Sequence, residues 1–389
     1  MSLPAVLGGE PAFPGGLAFV RPTVPELERV VARLTPSYER GMLTNGPLVR
    51  EFEEQAAQRL GVPHAVAVSS CTAGLMLVLR VLAPKGPVVL PSFTFSASAH
   101  AIAWNGLEPR FVECDRASFQ VDPASARARI DGAGALLATH VFGAPCAIEE
   151  LEAIASGAGI PLVFDAAHAF GSYHGARAIG GFGSAEVFSL SPTKVVVAGE
   201  GGVVATTDGD LAELVRVGRD YGNPGDYDTR FVGLNARMSE LHAAIALESL
   251  AGLDARFVER RRIVDRYRNG LAELPGVVAQ HVDPRDRSTY KDFTIAIDEA
   301  DFGVPRDTVV TALRADGIDT RCYFSPPVHR QQAYRGIAPF DLPVTDLVAS
   351  RVVSLPIYAS LSDAQIETVT RVLGALHRHA DKVRAAVPR

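Results

Sequence analysis

The chain has 389 residues, more than one ordinary core holds, and 47% of them are apolar, enough to bury a large domain and a smaller one. Its net charge of -6 comes without long like-charge runs, which leaves no electrostatic footprint for nucleic acid or an anionic membrane. The N-terminal MSLPAVLGGEPAFPGG has neither the charged head nor the apolar run of a secretory signal, and no apolar stretch reaches the roughly 20 residues of a membrane span. Cys71, Cys114, Cys146 and Cys322 are far apart and show no CxxC spacing, so a cytoplasmic protein with reduced thiols and no metal site is expected.

In chain order, residues 1–25 are rich in Pro and Gly and read as an arm outside the core. HAVAVSS (64–70) reads as a strand, TAGLMLVLRVL as the helix after it, PVVLP (87–91) as a strand, and TFSASAHAIAWNG as a helix ended by Gly106. EPRFVEC, ALLATHVFG and IPLVFDAAH continue the series, each closed by Gly, Pro or polar residues. Strands buried on both faces with helical crossovers imply an α/β fold around a mostly parallel sheet. EVFSLS and GGVVATT follow one another too closely for a helix and are expected to pair as a hairpin or edge. From Met238 to Leu274 the pattern is that of one long hinge helix. Beyond it YKDFTIAID, TRCYF and VVSLP read as strands, and RDTVVTALRADG and DAQIETVTRVLGALHRHADKVRAA as helices of a smaller α+β domain. The expected division is an arm (1–25), a large domain (26–250) and a small C-terminal domain (251–389).

Ligands of an open α/β sheet collect outside the carboxyl ends of its strands, so the residues where strands stop carry the chemistry. Three stops stand out. VAVSSCTAG puts Ser69, Ser70, Cys71 and Thr72 at a strand end that opens a helix, where free N–H groups and hydroxyls make an anion site. LVFDAAHAFG puts Asp165 and His168 at the end of an apolar strand. FSLSPTKVVVAGEGG puts Lys194 after a strand, and lysine is scarce here: only residues 85, 194, 291 and 382, the other formal positive charges being arginine. Desolvation lowers a lysine's pKa toward the neutral amine that Schiff-base or general-base chemistry needs. Singly, these are better explained by a helix cap, a core histidine and a lysine reaching to solvent. Together, an anion cradle, a carboxylate for a ring nitrogen and an amine for an imine are what pyridoxal 5'-phosphate (PLP) requires. A Walker loop and a strand–GxGxxG–helix turn are absent.

The ordered motifs LTNGPLVREFE (43–53), SSCTAGL, PSFTFSASA, DAAHAFGS, FSLSPTKVVVAGEGG, GLNARMSELHAA and SLPIYASLS (354–362) resemble the DegT/StrS family of PLP-dependent sugar aminotransferases over nearly the whole chain. That resemblance implies the fold type I architecture of the aspartate aminotransferase superfamily: a seven-stranded, mixed but mostly parallel sheet between helices, plus the smaller α+β domain. It implies Lys194 as the Schiff-base lysine and Asp165 as the partner of the pyridine nitrogen. His168 stands where many members carry Gln, near the cofactor ring or its phenolic oxygen. Phe95 matches the aromatic over the ring face; Cys71, Thr72 and Ser189 match the phosphate contacts; Asn235 matches a phosphate contact supplied by a neighbouring subunit. Arg237, Tyr323 and His329 are candidates for substrate contacts, with Arg21, Arg321 and Arg330 nearby.

The implied reaction is ping-pong transfer of an amino group from glutamate or glutamine to the keto group of a nucleotide-linked deoxysugar, in a cytoplasmic homodimer with shared active sites. The alternative acceptor is a cyclitol ketone of the scyllo-inosose type, which DAAHA makes plausible. A sugar dehydrase of the same fold would carry histidine in place of Lys194. A non-catalytic regulator would lose that lysine or gain a DNA-binding segment.

Overall fold

The computed structural model describes residues 3–337 and 340–387. In chain order its strands are β1 (His64–Val68), β2 (Val88–Pro91), β3 (Pro109–Val112), β4 (Ala135–Thr139), β5 (Leu162–Asp165), β6 (Tyr173–His174), β7 (Arg177–Ala178), β8 (Ala185–Ser189), β9 (Gly202–Thr206), β10 (Val277–Ala279), β11 (Phe293–Ile297) and β12 (Val352–Leu355). Seven of them form the main sheet in the order β1-β9-β8-β5-β4-β2-β3. The run from β8 to β3 is parallel throughout, while β9 is antiparallel to both β8 and β1. The expected hairpin of EVFSLS and GGVVATT therefore exists, but β9 lies inside the sheet, where its fully buried GVVAT fits the burial of an interior strand.

Strand pleating sends alternate side chains to opposite faces. Ala65 and Ala67 of β1 join one apolar cluster, and Val66 and Val68 join the other. Helices cover both faces, as a sheet of continuous apolar strands requires. Two distant motifs meet at one helix end: Glu240 is fully buried and accepts hydrogen bonds from the N–H groups of Gly46, Leu48 and Val49, each at 3.0 Å, and from Ser37 Oγ at 2.8 Å. It thereby satisfies the N-terminus of the helix Pro47–Leu60, where negative charge is favoured.

The expected single helix over 238–274 is two, Glu240–Ala251 and Leu253–Leu271, parted at Gly252. The first packs into the large sheet's core through Ala243, Ala246 and Leu247. The second gives Ile263, Val264 and Tyr267 to a third cluster built on the antiparallel sheet β10-β11-β12. The arm contributes to that cluster too: Leu17 is 2% exposed and pairs in parallel with Ile318, so part of this segment lies in a core and not outside it. TRCYF is not a strand. Arg321 makes an isolated bridge to Ser354, and the following Ser-Pro-Pro has no consecutive N–H groups with which to continue a ladder. No helix among the described residues is long and apolar enough to cross a membrane.

Candidate active site

A cavity of about 360 Å³ opens at the carboxyl ends of β1, β5 and β8. On one side the helix Cys71–Leu82 begins directly after β1, with Ser70 Oγ accepting from Ala73 N at 3.1 Å. The N–H groups of its first turn have no helical partner, so those of Cys71 and Thr72, both lining the cavity, face it as donors. Gly202 of β9 makes this placement possible: a Cβ there would lie 2.6 Å from Cys71 N and 2.7 Å from Ser70 C. Ser189, at the end of β8, lines the same side and is 8% exposed.

Asp165 ends β5 and is buried. Its Oδ1 accepts from Ala167 N at 3.1 Å, and its Oδ2 accepts from Ser98 Oγ at 2.6 Å. The Cys71 thiol lies 3.9 Å from Oδ1, and burial together with this carboxylate pushes its pKa well above the usual thiol range. His168 Nδ1 accepts a hydrogen bond from Phe142 N at 3.1 Å, which places the ring proton on Nε2. Burial, then the positive charges of Lys194 and Lys291, hold its pKa well below the usual imidazole value, so the ring is neutral. It stacks on Phe142, which stacks on Phe324; Phe95 follows with its ring 6.5 Å from Phe324. Phe95, the N-cap of the helix Ser96–Trp104, is 58% exposed and lines the cavity.

Lys194 is half-buried against this cavity. Desolvation first, and then the ammonium of Lys291, lower its pKa from 10.5 to about 8, against the opposing pull of Asp292, Cys71 and Asp165. The arrangement is an amine partly neutral near physiological pH, facing a carboxylate, a neutral hydrogen-bond donor and an anion cradle.

The DegT/DnrJ/EryC1/StrS aminotransferase family matches residues 26–374. The chain belongs to that family. The spore coat polysaccharide biosynthesis protein SpsC of Bacillus subtilis (strain 168) is 32% identical over 370 residues, covering 90% of this chain and 95% of SpsC. The dTDP-4-amino-4,6-dideoxy-D-glucose transaminase of Escherichia coli is 31% identical over 359 residues, 91% of this chain and 96% of that protein. DesI, solved in the presence of its TDP-sugar product, superposes with a TM-score of 0.93 at 39% identity, covering 98% of each chain.

This DegT-family chain is thus an aminotransferase that works with PLP. The donor set fits that cofactor: unspent N–H groups beside Ser189 suit a phosphate, a buried carboxylate suits a protonated ring nitrogen, and Lys194 suits an aldehyde.

Cys71, Thr72, Phe95, Asp165, His168, Ser189, Lys194 and Tyr323 come together around the cavity; Asn235, Arg237 and His329 do not. Asn235 is exposed, and its Oδ1 accepts from Arg237 Nη2 at 3.3 Å. Arg237 also pairs with Asp220 at 2.5 Å. His329 is buried elsewhere: its Nδ1 is 2.6 Å from Ser92 Oγ and its Nε2 is 3.3 Å from Asp346. That network ties the segment after Pro327 to the end of β2. Of the other cations, Arg21 lies over the Tyr358 ring, Arg321 pairs with Asp319, and Arg330 pairs with Asp346.

Two groups escaped the sequence reading. The first is a chain of buried hydroxyls. Ser98 spends its single hydrogen on the Asp165 carboxylate, so Thr94 Oγ1, 3.1 Å from Ser98 Oγ, donates to Ser98. Thr139 Oγ1, at 2.9 Å, then donates to Thr94. All hydrogens run toward the carboxylate, a polarised chain that fixes its orientation. Ser98 is one of three serines in PSFTFSASA, and only the fold brings it to Asp165. The second is the pair Lys291 and Asp292, which lines the cavity beside Tyr323. The scarcity of lysine that singled out Lys194 marks Lys291 equally.

Proposed function

We propose that this aminotransferase moves an amino group from L-glutamate or L-glutamine to the keto group of a nucleotide-linked deoxysugar, by a ping-pong sequence in a homodimer. The observation that carries the catalytic part is Lys194, an amine with its pKa drawn down to about 8 in the same cavity as Asp165. The likeness to DesI with its TDP-sugar product and to the dTDP-sugar transaminase supports the acceptor class.

PLP, when bound, supplies an aldehyde with which amines condense and a ring that draws off the electron pair left at the donor's α-carbon. Lys194 would hold the cofactor through that aldehyde, and its Nζ, with a pKa drawn down to about 8, would be the base for the donor's α-proton. Asp165, fixed by Ser98 and Ala167 N–H, keeps the ring nitrogen protonated. His168 would offer its neutral Nε2–H to the cofactor, Phe95 would pack against its ring, and Cys71, Thr72 and Ser189 would hold its phosphate. Tyr323 forms part of the acceptor's wall.

The dimer reading rests on what lies outside the cavity. The helix Leu27–Glu39 exposes Leu27, Val31 and Tyr38, and the stretch before Asn235 exposes Tyr227 and Val232. These exposed apolar groups and the exposed Asn235 suit a face on which Asn235 completes a neighbour's phosphate site and the half-buried Arg237 reaches that neighbour's substrate. Mixing Lys194→Ala with Asn235→Ala chains should then recover about a quarter of wild-type activity, since half of randomly paired C₂ dimers carry one intact site. The cyclitol alternative is favoured by His168 in place of the common Gln.

The test has two parts. Protein with glutamate and labelled 2-oxoglutarate, but no acceptor, should exchange label, and Lys194→Ala should not. The 4-keto precursor of dTDP-4-amino-4,6-dideoxy-D-glucose and scyllo-inosose, offered in parallel, separate the two acceptors. Absence of exchange in the wild type refutes ping-pong transfer from glutamate.

A further inference from the structure

Lys291 and Asp292 are 7% and 2% exposed, and Lys291 Nζ donates to both oxygens of Asp292, at 2.9 and 3.0 Å. Burying an ion pair is expensive, and surface pairs are the usual alternative. The chain also stiffens the segment that carries it. Lys291 N donates to Phe142 O at 2.9 Å and Thr289 Oγ1 to His168 O at 2.6 Å. Arg260 spends its guanidinium on the carbonyls of Thr289, Tyr290 and Lys291, at 2.6 to 3.1 Å. A polar pair is thus held rigidly in the wall of the cavity that holds Lys194.

The pair has no net charge, so it does not select an anion. Two ammonium hydrogens go to Asp292, leaving one, while each carboxylate oxygen keeps a free lone pair. A spare donor next to a spare acceptor matches a hydroxyl, which accepts and donates at once. The ring of Tyr323, its centroid 5.5 Å from Lys291 Nζ, and that of Phe324 supply an apolar face beside it. Paired polar groups against an aromatic wall suit a hydroxylated ring.

We propose that the Lys291–Asp292 pair is the subsite that recognises a ring hydroxyl of the amino-group acceptor, close to its keto carbon. This rests on the sugar or cyclitol reading given above. Either acceptor carries such hydroxyls, whereas 2-oxoglutarate carries none.

The test compares kcat/KM for the ring ketone with that for 2-oxoglutarate, in reactions that return the aminated cofactor to its aldehyde form. The double variant Lys291→Met/Asp292→Leu removes both charges, so neither is left buried alone and their opposed effects on Lys194 are lost together. Asp292→Asn serves as an independent variant should the double one fold poorly. Each is expected to lower the ring-ketone to 2-oxoglutarate ratio by about 10- to 100-fold, the usual loss when a hydroxyl gives up a hydrogen bond to a charged partner. Calorimetric affinity for dTDP-4-amino-4,6-dideoxy-D-glucose should weaken in parallel. A ratio that stays at the wild-type value, or that falls only because kcat/KM for 2-oxoglutarate rises while that for the ring ketone is unchanged, overturns the subsite while leaving the transaminase reading intact. Wild-type protein that aminates neither ring ketone refutes that reading and the subsite with it.

Discussion

Replacing Ser98 with alanine removes one hydroxyl from the helix Ser96–Trp104 and installs a better helix former, so its effect falls on Asp165. The bond lost is the 2.6 Å contact to Asp165 Oδ2, between two buried groups. A hydrogen bond to an ionised acceptor contributes about 1.5–3 kcal/mol, which at 1.4 kcal/mol per decade is a factor of about 10 to 150 in the hold of the carboxylate on a protonated ring nitrogen. Oδ1 keeps Ala167 N–H, so Asp165 stays in place and the loss is electrostatic. Stopped-flow absorbance of the PLP-loaded protein mixed with glutamate measures the first half-reaction. The expected result is a rate lower by about 10- to 100-fold, recovered by Ser98→Thr, which returns the hydroxyl. Thr94→Val, one link further from the carboxylate, should cost less. A Ser98→Ala rate equal to wild type would show that the hydroxyl chain is packing and not part of Asp165's function.

Lys194 is neutral above a pKa of about 8, so PLP uptake by the cofactor-free protein should accelerate with an inflection there; in Lys291→Met, with the like charge gone and Asp292 uncompensated, the inflection should move upward. An unmoved inflection contradicts the two-lysine account. The sign for stability is also fixed: an unfolded lysine retains 10.5, so between about 8 and 10.5 the unfolded chain holds more protons, and cofactor-free protein should gain stability as pH rises through that window. Lys194→Met should flatten that part of a denaturation profile. His168 is held neutral, so the pH–rate profile should lack an imidazole inflection near 6.5, and His168→Gln should retain more activity than His168→Phe because an amide still donates. Glu240→Ala leaves three backbone N–H groups and Ser37 without an acceptor and should cost about 3 kcal/mol or more, read as an earlier unfolding transition; an unchanged transition would refute the capping role.

Much of the fold and the heart of the site were legible because both are written locally. Apolar runs closed by polar residues mark where β1, β5 and β8 stop, and those stops carry Cys71, Asp165 and Lys194. What was not legible depends on pairing at a distance. Nothing in GGVVATT says that it enters the sheet between β1 and β8, because an antiparallel interior strand and an edge strand can share one apolar pattern. TRCYF carries strand-like residues, and the prolines after it end the ladder. His329 was a candidate substrate contact, yet Ser92 and Asp346 hold it away from the cavity. Ser98 reaches Asp165, and Lys291 the cavity, only through tertiary packing, the first from a neighbouring helix and the second from the segment leading into β11.

Two lysines share the cavity, and the account gives them different work: Lys194 bonds the cofactor and Lys291, paired with Asp292, does not. Borohydride reduction of the PLP-loaded protein, followed by proteolysis and mass spectrometry, distinguishes them directly. The account predicts the cofactor's mass on the peptide containing Lys194 and on no other. Its mass on the peptide containing Lys291, or on neither, would contradict it.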